Sequence, residues 1–266
     1  MIRVLWIGDV MGKPGREAVR ALLPELKKRY RVDWTIVNGE NAAGGSGISG
    51  RIARDFWRMG CDVVTLGDHV WDQKEMETFL PTTDRLLRPQ NFPPGTPGTG
   101  WTVQTTVGGL KVAVVCLLGR VFMKYAVGCP FRTLDTLLAD IRPKTHVILV
   151  EIHAETTSEK VALGHFADGR VSAIVGTHTH VQTADERILP GGTAYLTDLG
   201  MTGPHDSVIG QNKAAIIRRY WTSMPVRFSV ASGRVILNGA VIHVDEQTGQ
   251  AHRITRIQCP LTNEGS

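Results

Sequence analysis

Polar side chains that can bind metal ions follow five separate strand-like runs of the chain, and this placement constrains the fold more than any other feature. Short β-rich runs alternate with helical runs, which is typical of an α/β protein with a mostly parallel sheet. In such a sheet the carboxyl ends of the strands meet at one edge, where ligands bind. The residues at these ends are Asp9, Glu40, Asn41, Asp68, His69, His153, His178 and His180.

The pattern of apolar residues, glycines and prolines predicts where the strands and helices lie. Strands are predicted at residues 2–7, 34–37, 62–66, 101–107, 111–117, 146–150, 171–175 and 194–197. Helices are predicted at 14–30, 51–59, 131–141 and 158–166, and Pro24 inside the first predicts a kink or an early break. Later runs at 226–231, 235–244 and 253–258 predict an antiparallel tail, which we expect to form a second sheet packed on the first.

Length and composition indicate an ordinary globular protein with a single domain over residues 1–266. The net charge of +5 suits an anionic substrate, but we find no basic cluster with interleaved aromatic residues that would indicate dedicated nucleic-acid binding. The four cysteines include no Cys-x-x-Cys pair, which argues against a disulfide framework. Because there is no signal peptide and no apolar run long enough to cross a bilayer, we expect a cytoplasmic protein without membrane contact.

Each candidate ligand has an ordinary structural explanation when it is taken alone. Asp9 follows a glycine and could belong to a turn, and Asp68 could cap a helix. A lone histidine such as His153 is more often structural than a ligand. Chance would scatter such residues over helices and surface loops, so their joint occurrence at successive strand ends indicates a site.

The three carboxylates among these residues favour a site that contains metal ions. Asp9, Glu40 and Asp68 would repel one another strongly if they converged, and two divalent cations would remove this repulsion. Carboxylate, amide and imidazole ligands together suit iron, manganese or zinc. The set includes no cysteine, which argues against a structural zinc site.

A series of motifs in this chain resembles the YmdB-like branch of the calcineurin-like metallophosphoesterases. The motifs are WIGDVMGKPGREAV, VNGENAAGG, TLGDHVWD, EIHAE, GTHTHVQTAD and DLGMTGPHDSVIG. They occur in matching order and spacing between residue 2 and about residue 245. The resemblance implies an α/β fold of four layers, an α/β/β/α sandwich in which two central sheets are flanked by helices, with a dinuclear metal centre.

The resemblance also implies which residues bind each metal ion. Four residues would bind the first ion: Asp9, Glu40, Asn41 and His180. Glu40 would bridge to the second ion, which three further residues would bind: Asp68, His153 and His178. The cofactor implied is a pair of divalent or mixed-valence transition-metal ions, with iron expected and manganese or zinc as alternatives.

The activity implied by the resemblance is hydrolysis of cyclic nucleotides, both 2′,3′-cyclic and 3′,5′-cyclic, by attack of a metal-bound hydroxide on phosphorus. His69 would act as the general acid beside the leaving group. Asn41, Gly203 and His205 are the expected substrate contacts. The expected partner is a small nucleotide substrate, and the family further implies a bacterial protein, a role in RNA metabolism and a homo-oligomer.

Two positions depart from the wider superfamily. Met11 stands where the superfamily has a histidine ligand, and Asn41 beside the bridging Glu40 would fill that place. Asp68 stands where the motif usually has asparagine. The additional negative charge should tighten cation binding and weaken the Lewis acidity of the metals toward an anionic phosphate.

Three alternatives stay open at this point. The same centre would suit a phosphomonoesterase that acts on nucleotides or phosphoproteins. A metal-dependent amide hydrolase could share the architecture, and only analogy favours phosphoester chemistry over it. A non-catalytic regulator that binds a nucleotide or RNA would bind its ligand without turnover.

Overall fold

The computed structural model describes residues 1–262 of the chain. Its first sheet contains, in spatial order, β11 (Gly203–Pro204), β12 (Val235–Val244), β1 (Ile2–Ile7), β2 (Trp34–Asn38), β3 (Val63–Thr65) and β4 (Leu86–Leu87). Strands β1 to β4 are parallel, whereas β12 is antiparallel to β1. The remaining strand, β13 (Ala251–Pro260), pairs with β12 in antiparallel fashion.

The middle of the chain forms the second sheet. In spatial order its strands are β5 (Trp101–Thr105), β6 (Lys111–Leu118), β7 (Val147–His153), β8 (Ala173–Thr177), β10 (Ala194–Leu196) and β9 (Arg187–Ile188). Four central strands are parallel, and the edge strands β5 and β9 are antiparallel to their neighbours. Strands β5 and β6 form a hairpin, and Gly108 and Gly109 lie in the loop between them.

The helices lie mainly between the strands. They are α1 (Gly12–Tyr30), α2 (Gly50–Arg58), α3 (Met76–Phe79), α4 (Pro130–Ile141), α5 (Thr157–Ala167) and α6 (Lys213–Thr222), with a short 3-10 turn at Leu80–Thr82. The prediction that α1 breaks early at Pro24 is wrong, because the helix continues to Tyr30. Pro24 and Arg20 lie on the exposed face, where water can bond the Arg20 carbonyl that the proline leaves free.

Three buried clusters hold these elements together. Side chains alternate along β1, so that Trp6 belongs to the cluster shared by the two sheets and Leu5 to the cluster shared with α1 and α2. A third cluster joins the second sheet to α4 and α5 through residues such as Leu138 and Leu163. The mixed α/β class with two sheets and helices is therefore confirmed.

Among residues 1–262, none of the helices is long and apolar enough to cross a membrane.

The predicted antiparallel tail differs from the structure in two respects. Residues 226–231 do not form a strand. Three of the six are exposed, and within residues 1–262 only Val230 among them makes a β-bridge, to Gln211. The strands β12 and β13 do not build the second sheet but extend the first one beside β1. Gly239 allows this pairing, since a Cβ atom there would overlap the Trp6 carbonyl oxygen.

Candidate metal centre

The structure brings all the predicted ligands to one end of the two sheets. From the first sheet, the segments after β1, β2 and β3 contribute Asp9, Glu40, Asn41, Asp68 and His69. From the second sheet, the end of β7 and the turn after β8 contribute His153, His178 and His180. Strand β7 is longer than predicted, because it pairs with β6 and β8 as far as His153.

The tightest group contains one ligand atom each from four residues, all within 4.8 Å of one another: Glu40, Asp68, His153 and His178. The Nε2 atom of His153 lies 3.1 Å from Glu40 Oε2, 3.2 Å from Asp68 Oδ1 and 3.0 Å from His178 Nδ1. A ring nitrogen carries at most one hydrogen, so these contacts cannot all be hydrogen bonds. They fit side chains that converge on a shared cation.

A second group extends from Glu40 toward the surface. The Nδ2 atom of Asn41 lies 3.2 Å from Glu40 Oε1 and 3.1 Å from His180 Nε2. On its other side, Asn41 Oδ1 lies 2.8 Å from His69 Nδ1. Asp9 Oδ2 accepts a hydrogen bond of 3.2 Å from the His178 amide, and this bond connects the segment after β1 to the turn after β8.

Unsatisfied oxygen atoms show that these residues fit a metal ion. Asp9 Oδ1 and Glu40 Oε2 are buried and have no aligned hydrogen-bond donor among residues 1–262. A buried carboxylate without a partner is costly, and a cation would satisfy it. Gly67 leaves the necessary space, because a Cβ atom there would overlap both Glu40 Oε2 and the His153 ring.

The ionisation of the group points in the same direction. Burial raises the pKa of Asp9, and the nearby His180 and His153 side chains oppose this effect only in part. Burial also acts against ionised Glu40 and Asp68, but their contacts with His153 outweigh it and lower both pKa values. Although burial alone would lower the pKa of His153, Glu40 and Asp68 raise it well above 6.5. The carboxylates therefore draw positive charge to this point.

The buried Glu151 contacts the Nδ1 side of the His153 ring through Thr177. Sequence analysis missed this role. His153 Nδ1 lies 2.8 Å from Thr177 Oγ1, which donates a 3.0 Å hydrogen bond to Glu151 Oε1. Trp6 Nε1 donates to the same carboxyl from the first sheet at 3.0 Å. Burial raises the pKa of Glu151 to about 7. The available signal was a charged residue inside an otherwise apolar run of β7.

A cavity of about 270 Å³ opens beside this group. Its lining includes Glu40, His69, His178 and His180 together with Ile209 and Gln211. The expected substrate contacts Gly203 and His205 are not part of this lining within the described chain.

Those two residues have other neighbours. Gly203 pairs with Ile236 of β12 in the first sheet. The Nε2 atom of His205 lies 3.1 Å from the Met201 carbonyl oxygen and 3.3 Å from the Asn238 amide nitrogen. The segment after β11 therefore reaches the cavity through residues that sequence analysis did not select, Ile209 and Gln211.

Comparisons with known proteins find relatives that match nearly the whole chain. A 2′,3′-cyclic-nucleotide 2′-phosphodiesterase of Bacillus subtilis (strain 168) is 50% identical over 256 residues, which cover 96% of each chain. The solved structure of a hypothetical protein from Thermus thermophilus matches with a TM-score of 0.90 and 44% identity, covering 97% of this chain and 99% of that one. A novel phosphatase from Mycoplasma pneumoniae matches with a TM-score of 0.91 and 35% identity, covering 97% and 93%.

The resemblance noted in the sequence motifs is confirmed by a match that spans most of the chain. A sequence model of the family described as YmdB-like protein matches residues 5–257. This range includes every predicted ligand of the candidate centre and all the strands of the second sheet. The chain therefore belongs to the YmdB-like protein family.

Proposed function

We propose that the protein is a two-metal phosphodiesterase that hydrolyses cyclic nucleotides, with 2′,3′-cyclic nucleotides as the first substrate class and 3′,5′-cyclic nucleotides as a further one. The observation that carries this proposal is the convergence of carboxylates, an amide and imidazoles beside the 270 Å³ cavity. The name of the Bacillus subtilis relative supports the choice of substrate class.

Glu40 is suited to bridge two ions because each of its two carboxylate oxygens faces a different set of predicted ligands. Oε1 lies toward Asn41, at 3.2 Å, and Oε2 lies toward His153, at 3.1 Å. One ion would be held by Asp9, Glu40, Asn41 and His180, and the other by Glu40, Asp68, His153 and His178. Iron, manganese and zinc all suit this donor set, and iron is our first choice. Two bound cations would supply a nucleophile at neutral pH and stabilise charge on the phosphoryl oxygens.

His69 is proposed as the general acid. Its Nδ1 atom donates to Asn41 Oδ1 at 2.8 Å, which fixes the ring, and its side chain is one-third exposed at the cavity. In the imidazolium form the other ring nitrogen, Nε2, also carries a proton, which it can pass to the departing ribose oxygen. Asn41 Oδ1 has two lone pairs, so it can accept from His69 and still bind a cation. Ile209 and Gln211, on the facing wall, are positioned to contact the nucleoside.

A phosphomonoesterase is the second candidate, because the structural relative from Mycoplasma pneumoniae is named a phosphatase. The same centre would bind a terminal phosphate, and His69 would protonate its leaving group as well. A regulator that binds a nucleotide or RNA without turnover is the third candidate. A homo-oligomer and a role in RNA metabolism stay predictions from the family resemblance, and a cytoplasmic location stays a prediction from the lack of a signal peptide and of a long apolar run in the sequence.

The deciding experiment combines metal analysis with activity on one sample. The protein is purified without chelators, its metal content is measured, and hydrolysis of 2′,3′-cyclic AMP, 3′,5′-cyclic AMP and p-nitrophenyl phosphate is compared. We expect about two transition-metal ions per chain and the highest kcat/KM for 2′,3′-cyclic AMP. Faster cleavage of the monoester would favour a phosphatase. Bound metal without turnover of any of the three would favour the regulator.

A further inference from the structure

A buried ion pair lies behind the turn that carries His178 and His180. Lys160 of α5 and Asp198 after β10 are both completely buried, and Lys160 Nζ lies 2.7 Å from Asp198 Oδ2. Lysine is almost never fully buried unless it is paired. A fully buried pair is weak evidence for stability, because desolvation of the two charges offsets most of their attraction. Its hydrogen bonds therefore indicate its role better than its charge does.

Those hydrogen bonds go to the residues on both sides of His178. Lys160 Nζ donates to the Thr177 carbonyl oxygen at 2.8 Å. Asp198 Oδ2 accepts from the Thr179 amide at 3.2 Å and from the Thr179 hydroxyl at 2.8 Å. The other oxygen of Asp198 accepts from the Gly200 amide at 2.8 Å. The ion pair thus holds the peptide groups that precede and follow His178.

The backbone of this turn needs such support. His178 has φ 99° and His180 has φ 64°, which is the left-handed region that non-glycine residues rarely adopt. Strained conformations of this kind persist only when the surrounding structure imposes them, and they cluster at functional sites. In this conformation His178 Nδ1 lies 3.0 Å from His153 Nε2, and His180 Nε2 lies 3.1 Å from Asn41 Nδ2.

We propose that Lys160 and Asp198 are positioning residues, which hold the turn of residues 177–180 so that His178 and His180 face the two metal positions before any metal binds. This inference rests on the proposed metal centre, since both histidines are among its ligands. Residues that orient metal ligands typically change metal affinity by about 10- to 100-fold when they are replaced.

The test separates positioning from stability with the double variant Lys160→Met/Asp198→Leu in the full chain. Apolar replacement of both partners leaves no unpaired buried charge, but it removes the three hydrogen bonds from the pair to Thr177 and Thr179 and the one to the Gly200 amide. We expect a folded protein with a lowered melting temperature, faster hydrogen exchange at the Thr179 amide in chelator-treated protein, and a Kd for Mn²⁺ raised about 10- to 100-fold in calorimetry. A folded double variant with wild-type Thr179 exchange and wild-type Mn²⁺ affinity would overturn the proposal.

A matched control is Arg88→Met, which removes another buried cation that donates to backbone carbonyls, those of Pro89, Thr96, Pro97 and Gly98. It should lower the melting temperature and leave the Kd for Mn²⁺ unchanged. An equal loss of Mn²⁺ affinity in Arg88→Met would show that general destabilisation, and not the loss of the Lys160–Asp198 pair, weakens Mn²⁺ binding.

Two further readouts cover the other outcomes. If the double variant does not fold, Thr179→Val removes only the hydroxyl bond to Asp198, and it should raise the Kd for Mn²⁺ several-fold without lowering the melting temperature. An unchanged Kd would then overturn the proposal. If the wild-type protein binds none of Mn²⁺, Fe²⁺ and Zn²⁺, the proposed metal centre fails, and the exchange rate at the Thr179 amide still tests whether the Lys160–Asp198 pair holds the turn.

Discussion

The Nε2 atom of His153 lies 3.1 Å from the Oε2 atom of Glu40, and both side chains are almost completely buried. Glu40 follows a strand of the first sheet, whereas His153 ends a strand of the second. The contact therefore joins the two sheets at the point where a cation would be shared. Removing either side chain should remove this contact, so that the ends of the two sheets move apart and the remaining predicted ligands no longer converge.

His153→Ala should reduce the bound metal from about two ions per chain to one or fewer, because it deletes the imidazole that contacts Glu40, Asp68 and His178. Metal content after purification without chelators checks this prediction. The matched control is His165→Ala, at an exposed position of α5, which should keep the full metal content. Full metal content in His153→Ala would remove His153 from the ligand set.

His69→Ala should keep its metal but lose about 10²- to 10⁴-fold in kcat with 2′,3′-cyclic AMP, because the ribose oxygen is a poor leaving group that needs a proton. Bis(p-nitrophenyl) phosphate releases a stable phenolate, so its hydrolysis should change much less. Comparing the two substrates in one preparation gives the measurement. Equal losses with both substrates would assign His69 a role other than proton donation.

Asp68→Asn should weaken metal binding by about tenfold or more and raise kcat at saturating metal. The reason is that the Asp68 carboxylate, 3.2 Å from His153 Nε2, adds negative charge that holds a cation and reduces its Lewis acidity. Activity measured as a function of added Mn²⁺ separates the two effects. A lower kcat at every metal concentration would show that the carboxylate assists the reaction directly.

Gly67→Ala should abolish metal binding, because the added methyl group would overlap Glu40 Oε2 and the His153 ring. Gly108→Ala is the control, since within residues 1–262 a Cβ atom there has only Thr106 Oγ1 within 4 Å apart from its chain neighbours, at 3.9 Å. Circular dichroism should show that both variants fold, and metal analysis should separate them. Normal metal content in Gly67→Ala would mean that the ligands move apart without loss of affinity.

Acid should destabilise the fold partly through His205. Burial lowers the pKa of this histidine below 6.5, with a contribution from Arg234, although the Met201 carbonyl opposes the shift. The unfolded chain therefore takes up the proton first, so stability present above pH 6.5 is lost as the pH falls toward the folded-state pKa. Melting temperatures of chelator-treated protein between pH 7.5 and pH 5 should fall less in His205→Gln than in the wild type. Parallel curves for the two proteins would contradict this.

The ligand residues could be predicted from the sequence because a general rule of parallel sheets applies to them. Each follows or ends a strand, and strand ends of one orientation meet at one edge. Short apolar runs also predicted β1, β2 and β6, since buried parallel strands are nearly continuous in apolar residues. The structure confirms these strands and the convergence of the side chains after them.

Features that depend on distant pairing could not be predicted in this way. The local pattern of β12 predicts a strand but does not show which strand lies beside it. The same apolar side chains would be buried whether β12 paired with β1 or belonged to a separate sheet. The supporting roles of Glu151 and Lys160 were also missed. Glu151 is a charged residue in an apolar run, and Lys160 resembles any charged residue of a helix, so the sequence shows a partner for neither. The segment at 226–231 resembles a strand in composition but lacks the neighbours that would bury it.

The place of β12 beside β1 has a consequence for how the chain matures during synthesis. Strand β1, which leads to Asp9, leaves the ribosome well before β12, which pairs with it from more than 200 residues later in the chain. Until residues 235–244 emerge, one edge of β1 has unpaired backbone groups, and the first ligand of the proposed centre lacks a fixed position. We therefore expect the proposed centre to bind metal ions only after β12 has emerged, so that polypeptides that end before β12 would not bind them.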